Sequence, residues 1–260
     1  MTLHNPTVGD FLRDLRARRR LSQLDLAGEA EVSTRHLSFV ESGRAAPSRE
    51  LLLRLAEPLA LPMRERNRLL LAAGYAPMHG ERAIDAPDMA AAKTAIETIL
   101  RGHSPFPALA VDRQWNLVIC NDAAQALLDG IDPALLAPPV NVLRASLHPN
   151  GLASRIVNLA EWRHHLLARL RDDVDRSADP ALLALNEELR ALPAPASPRP
   201  YGSPQKIAVP LQIRNPANGD VLSFISTTTV FGTAVDVTLA ELTLECFYPA
   251  DEETRRVLIG

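Results

Sequence analysis

The side chains with the most legible chemistry fall in one short stretch: Gln23, Ser33, Thr34, Arg35, Ser38, Phe39, Ser42 and Arg44. A guanidinium bonds guanine bidentately, hydroxyls and amides donate or accept at base edges and phosphates, and an aromatic ring touches a thymine methyl. Elsewhere chemistry is sparse. His164 and His165 are adjacent, so on a helix they point about 100° apart and cannot chelate one metal together. His148 lies beside Pro149 and near Gly151, in a turn without a neighbouring acid or nucleophile. Asp172, Asp173 and Asp175 read as the wet end of a helix. No G-x-G-x-x-G, G-x-x-x-x-G-K or G-x-S-x-G motif occurs. We therefore expect no catalytic residue, no metal site and no cofactor, and no enzyme.

Helix signals surround the first set of residues. Thr7 caps a helix with Val8, Phe11, Leu12 and Leu15 at helical spacing. Ser22-Gln23-Leu24-Asp25 is a capping box that opens a second, short helix burying Leu26, Ala27 and Ala30. Glu31-Val32 makes a tight connection, and Ser33 caps a third helix that ends at Gly43. Pro47-Ser48 and Pro62 open a fourth and a fifth, the last ending at Gly74. Two short helices across a tight turn, the second with a polar outer face, form a helix-turn-helix. At about 100° per residue, Leu37, Val40 and Glu41 share one side of helix three, and Arg35, Ser38, Phe39 and Ser42 the other. Such a helix enters a major groove with its N-terminal residues at base edges. Gln23, at the start of helix two, can bring its amide to a phosphate, and Ser42 and Arg44 sit for the backbone on the other side. The bland alternative is an ordinary solvated face, with Phe39 packed under a loop.

Composition bounds the rest. The chain has 260 residues with a formal net charge of −3, 47% hydrophobic and 23% charged, which excludes a disordered or collagenous protein. The sum hides a split. Residues 1–75 carry 12 Arg, no Lys and 9 acids, or +3, and the remainder carries 16 bases and 22 acids, or −6. A basic segment joined to an acidic one fits a nucleic-acid binder attached to something else. No apolar run approaches the roughly 18 residues of a membrane span, and Met1–Arg20 is polar, so neither membrane nor secretion is expected. Cys120 and Cys246 are solitary and distant, which suits a reducing cytoplasm.

Gln23-xx-Leu26-Ala27, Val32-Ser33-xxx-Leu37-Ser38-x-Val40-Glu41-x-Gly43-Arg44 and Pro47-Ser48 resemble the Cro/phage-repressor (XRE-type) helix-turn-helix family. The resemblance covers about residues 7–73. It implies double-stranded DNA as partner and a structural pair of Arg16 with Glu41, which accounts for an acid on the inward side of helix three.

After Gly74, Pro77, Gly80 and Pro87 comes a helical stretch from about Met89 to Leu100. We divide the chain into 1–76, a helix-containing linker 77–104, and 105–260. Ala108–Val111 and Leu117–Cys120 alternate like a hairpin, and Asn121-Asp122 caps a helix, the opening of a PAS-like sensor fold. Helices are expected over Arg155–Val174 and Asp179–Leu192, and strands over Lys206–Ile213, Val221–Thr229 and Val237–Phe247. The Pro-rich stretch Pro193–Pro204 reads as a solvated loop. The fold class is thus multidomain: an N-terminal all-α five-helix unit and a C-terminal α+β unit with a mixed sheet, helices on one side and an apolar pocket between the layers.

Four segments sharpen the second half: Val111-Asp112-Arg113-x-Trp115-Asn116-Leu117-Val118, Pro138-Pro139-Val140-Asn141-Val142-Leu143-Arg144, Ser146-Leu147-His148-Pro149-x-Gly151-Leu152 and Arg155–Trp162. They resemble the MmyB-like transcription-regulator ligand-binding domain over about residues 95–250. That resemblance implies a PAS-like domain after an XRE-type helix-turn-helix, with a fatty-acid-like ligand in its pocket. The short tail after Phe247 departs from it. Trp115, Leu143, Ile156, Trp162, Phe224 and Phe247 are candidate apolar walls. Arg144, Arg155 or Asn158 can meet a carboxylate head. The alternative is plain core for the apolar set and a surface charge for Arg155. The expectation is a ligand-responsive, homodimeric, cytoplasmic regulator that binds DNA and a small apolar acid. Its rivals are a ligand-free dimerisation or protein-interaction module and an acyl-metabolising enzyme in the second half.

Overall fold

The computed structural model describes residues 7–193, 208–216 and 218–259. The chain forms two units: Met1–Arg82 with Thr233–Ala240, and Ala83–Gly232 with Glu241–Gly260.

In the first unit the capping signals fix five helices: α1 (Val8–Arg18), α2 (Gln23–Glu29), α3 (Thr34–Glu41), α4 (Arg49–Ala56) and α5 (Met63–Ala72). Thr7 and Ser22 make reciprocal capping boxes with Asp10 and Asp25, and Ser33 and Ser48 accept from the amides of His36 and Leu51. Leu12, Leu26, Leu37, Val40, Leu52, Leu55 and Leu59 close into one core. The α2–α3 turn needs Glu31 in the left-handed region at φ 53°. Arg54 of α4 steadies it by donating to the carbonyls of Ala30 and Glu31 at 2.7 and 2.6 Å. Gly9 is required for a different reason: a Cβ there would lie 2.6 Å from the Glu41 carbonyl oxygen and 2.7 Å from that of Val40. Only glycine lets α1 lie this close to α3.

Past α5, Asn67 pins the chain by accepting from the amides of Met78 and His79 and donating to the His79 carbonyl. The segment Thr233–Ala240 then joins this unit. The Val237 amide donates to the Gly80 carbonyl at 2.8 Å, and Arg82 Nε to buried Asp236 at 2.9 Å.

The second unit begins with α6 (Ala90–Gly102), which packs on the hairpin β1 (Ala108–Val111) and β2 (Leu117–Cys120). After α7 (Asp122–Leu127), α8 (Val142–Leu147), α9 (Leu159–Ser177) and α10 (Pro180–Ala191) come β3 (Leu211–Arg214), β4 (Val221–Val230), α11 (Val237–Glu241), β5 (Thr243–Pro249) and α12 (Glu252–Ile259). Of these, α11 falls largely in the segment that joins the first unit. The sheet order is β2-β1-β5-β4-β3, and every pairing is antiparallel. The expected mixed sheet is therefore corrected to an antiparallel one.

Three expected elements shift. Val237–Phe247 is not one strand: its first half forms α11, capped by Asp236, whose carboxylate accepts from Thr238 N. The helix expected from Arg155 starts at Leu159, because Ile156 is held in a bridge with Ile213. The third strand expected from Lys206 begins at Leu211, and its first two residues lie outside the described ones, as does most of Pro193–Pro204. The tail past Phe247 completes β5 and adds α12, where Thr254 Oγ1 accepts from Ser223 N at 2.9 Å.

Gly9→Ala should cost about 1–3 kcal/mol through overpacking, read as a lower melting temperature. An unchanged melting temperature would contradict the close approach of α1 to α3.

Candidate functional site

On α3, Leu37, Val40 and Glu41 are buried, and Arg35, His36 and Ser42 are exposed. Phe39 is half-buried between two cations, with the guanidinium carbons of Arg35 and Arg44 lying 5.3 and 6.0 Å from its ring centroid. The ring thus presents both arginines on the outer side of the helix. Thr34 and Ser38 are half-buried beside them. Ser33 and Ser42 are tied locally, Ser33 as the cap of α3 and Ser42 Oγ donating to the Phe39 carbonyl at 3.2 Å. His36 is exposed as well; one residue after Arg35, it lies about 100° round the helix at the edge of the outer face, so the helical period does not group it with Arg35, Ser38, Phe39 and Ser42.

The inward side is organised by Glu41, 2% exposed. Arg16 grips it with two bonds, Nε at 2.7 Å and Nη2 at 3.0 Å, and Gln23 Nε2 donates to it at 2.7 Å. Arg13 adds a bond to the Glu41 backbone carbonyl at 2.6 Å. Burial pushes the carboxyl up, but hydrogen bonds from Arg16 and Gln23 and the charges of Arg16 and Arg13 outweigh it and hold it below the usual range. The expected Arg16–Glu41 pair is present. Gln23, expected at a phosphate, spends an amide N–H on Glu41 and so also orients the reading helix.

The second unit holds a partly open apolar cavity of about 90 Å³. Its walls come from β1, β2, α7, α8, α9, β3 and β5, and include Leu109, Leu117, Leu143, Leu166, Leu211 and Phe247. Both tryptophans of the chain, Trp115 and Trp162, line it. Trp115 is held at φ 64°, a left-handed conformation that a bulky residue keeps only when over-determined. Here Asp112 Oδ1 accepts from the amides of Gln114 and Asn116, the Trp115 amide donates to the Asp112 carbonyl, and the indole donates to Asp173 at 2.9 Å. Asn141 locks the same turn by donating to the Gln114 carbonyl at 2.9 Å while capping α8. Gly151 closes the far end of α8: a Cβ there would meet the Ala145 carbonyl oxygen at 2.2 Å.

Of the expected ligand residues, Trp115, Leu143, Trp162 and Phe247 line this cavity. The other five do not. Ile156 and Phe224 are plain core, Phe224 packing edge-on to Phe247. Arg144 forms a bidentate pair with Glu188 of α10 at 2.8 and 2.7 Å. Arg155 donates to the carbonyls of Leu127, Asp129 and Arg214, so it closes the end of α7. Asn158 brackets β3, donating to the Pro210 carbonyl and accepting from Gln212 N. A carboxylate head on any of these three is corrected: each is spent on its own fold. The charged residues at the cavity are instead Arg169 of α9 and Glu245 of β5. Their separation in sequence left no local signal, and Arg169 alone reads as a surface charge on an amphipathic helix.

Three comparisons bear on this arrangement. Residues 92–259 match the MmyB-like transcription regulator ligand binding domain. The chain belongs to that family. Residues 7–69 of this MmyB-like protein match a helix-turn-helix domain, so the two matched domains together describe a DNA-binding transcription regulator. No curated protein matches the chain. The solved clp gene regulator ClgR from Corynebacterium glutamicum is 26% identical over 38% of this chain and 93% of its own, with a TM-score of 0.24. A TM-score that low carries no structural argument. No helix among the described residues is long and apolar enough to cross a membrane, and no group of three or more His, Cys, Asp or Glu among them is placed to hold a metal.

Arg16→Ala leaves Glu41 buried without its main partner and should cost the MmyB-like regulator about 3 kcal/mol at neutral pH. Because the folded pKa of Glu41 is depressed, its contribution is present above the ordinary glutamate value of about 4.3 and lost as pH falls through the folded value. The gap in stability between wild type and Arg16→Ala should therefore narrow on acidification towards pH 3; a constant gap would contradict the pairing. Since both tryptophans line the cavity, an occupant should change the intrinsic fluorescence, and a ligand that binds with an unaltered spectrum would have its site elsewhere.

Proposed function

We propose that this chain is a one-component bacterial regulator whose α3 face reads a specific operator and whose cavity senses a fatty-acid-like small molecule. The observation that carries the reading is the union in one chain of two built features. One is a cation-bearing helix face held by Arg16–Glu41. The other is an apolar cavity walled by both tryptophans. The regulator acts as a homodimer in the cytoplasm, because paired half-sites one helical turn apart require paired reading helices.

Size limits what enters. The cavity of about 90 Å³ is smaller than the ~150 Å³ engineered cavity that takes up benzene. It takes a short or compact part of an acyl chain as it stands, and a longer chain either displaces wall side chains such as Leu143 or Leu166 or leaves its far end outside the cavity. A series of straight-chain ligands should thus show an affinity optimum rather than a steady rise with length. Native mass spectrometry of freshly purified protein supplies the complementary test: a co-purifying acyl compound supports the sensor, and repeated absence of any adduct favours the interaction module.

On the DNA side, Arg35→Ala should weaken operator binding by about 1–3 kcal/mol, with helical content intact. Selection from a random duplex pool supplies the operator, and competition against a scrambled duplex measures preference. Equal affinity for cognate and scrambled duplexes in wild type and variant alike would overturn the assignment of α3 as reader.

A further inference from the structure

Arg35 and Arg44 are exposed, and among the described residues neither has a side-chain hydrogen bond or an ion pair. Elsewhere in the unit Arg16, Arg19, Arg54 and Arg66 are anchored on carboxylates or carbonyls. What Arg35 and Arg44 share is the Phe39 ring, with guanidinium carbons 5.3 and 6.0 Å from its centroid. Arg35 meets the ring from one turn earlier on α3, at the i, i+4 spacing that makes helix side chains neighbours. Arg44 meets it after the chain has turned at Gly43, whose φ is 73°. The Phe39 carbonyl also accepts from Arg44 N at 2.8 Å, Ala45 N at 3.1 Å and Ser42 Oγ at 3.2 Å. One residue thus holds Arg44 through both its ring and its backbone.

We infer that Phe39 is a positioning residue, which sets the sequence preference of α3 by holding Arg35 and Arg44 as one pre-formed pair. This rests on the reading of α3 as the DNA-contacting helix and names what orders its cations. A cation–π contact draws on the ring face and occupies no N–H group, so all five donors of each guanidinium stay available. A carboxylate partner would order an arginine as well, but it would occupy those donors and offset the charge offered to DNA. An arginine ordered before DNA arrives loses less rotamer freedom on binding than a free one. That gain counts most where geometry is strict. Arg35 must bring its planar fork to one base edge, whereas a phosphate accepts a cation in many poses. The contribution of the ring therefore falls on preference rather than on general attraction to DNA. A direct contact between Phe39 and a thymine methyl makes a different demand, because leucine would serve there and cannot hold a cation.

The test measures the affinity of the full chain for an operator selected from a random duplex pool and for its scrambled version, at one salt concentration. Phe39→Leu keeps apolar bulk and every charge. It should weaken operator binding at least about fivefold, the factor that two exposed cation–π contacts give. Binding to the scrambled duplex should change less than about twofold. Phe39→Tyr, which keeps the ring face, should recover most of the loss. In an Arg35→Ala/Arg44→Ala background the same Phe39→Leu change should cost less than about twofold, because the ring then has nothing to position. An equal loss in that background would overturn the inference and leave Phe39 touching DNA or shaping the helix by itself. Should Phe39→Leu fail to fold, the cycle of Arg35→Ala with Arg44→Ala decides the point with the ring untouched. A double variant that loses less than the two single losses multiplied supports one pair, and strict multiplication overturns it. Operator preference intact in Phe39→Leu would sink the positioning role alone. A wild type without preference would remove the reading of α3, and the inference with it.

Discussion

A buried carboxylate must be paired or it is too costly to keep, and each unit of this chain is arranged around one such pair. In the first, Glu41 at the end of α3 is held by Arg16 of α1 and by Gln23 of α2, so three helices are fixed by one acid. In the second, Glu245 on the central strand is held by Arg169 of α9, whose guanidinium covers the strained Trp115. Both acids lie on elements of the candidate sites, α3 and β5. Removing either arginine would leave a charge in a low-dielectric site, so the functional element and its support are not separable.

The path of the chain links the two sites without any further device. β4 ends at Val230, Thr233–Ala240 belongs to the first unit, and the chain returns as β5, whose Glu245 and Phe247 line the cavity. Asp236 and Val237 are buried at the turning point, tied to Arg82 and Gly80. A ligand changes DNA affinity only through unequal affinity for the DNA-competent and incompetent arrangements. The strand that lines the cavity and the segment held in the DNA-binding unit are one continuous piece of backbone.

Much of this was legible in residue order, where the signal is local. The caps Thr7, Ser22, Ser33 and Ser48, the β1–β2 hairpin and the inward Glu41 all announce themselves within a few residues. Val237–Phe247 was misread because a short helix and a strand follow one another with apolar residues in both, and the period changes only at Leu242. The mixed sheet was misread because pairing direction depends on which strands meet, and β5 inserts between β1 and β4. The head-group residues failed for the same reason at longer range. Arg144, Arg155 and Asn158 stand near the recognisable motifs, yet each is spent on a carbonyl, an amide or a neighbouring acid. Arg169 and Glu245 become partners only once α9 lies against β5. Gly9 and Gly151 read as ordinary glycines until the facing carbonyl oxygens are in place.

The central claim is that occupancy of the cavity and occupancy of the operator are coupled. Coupling is reciprocal, so one titration tests it: operator affinity of the full chain at fixed salt, with and without a saturating cavity ligand. The account predicts a change of at least about fivefold, in the range usual for coupled sites. Identical operator affinities, with the cavity shown by tryptophan fluorescence to be filled, would contradict it.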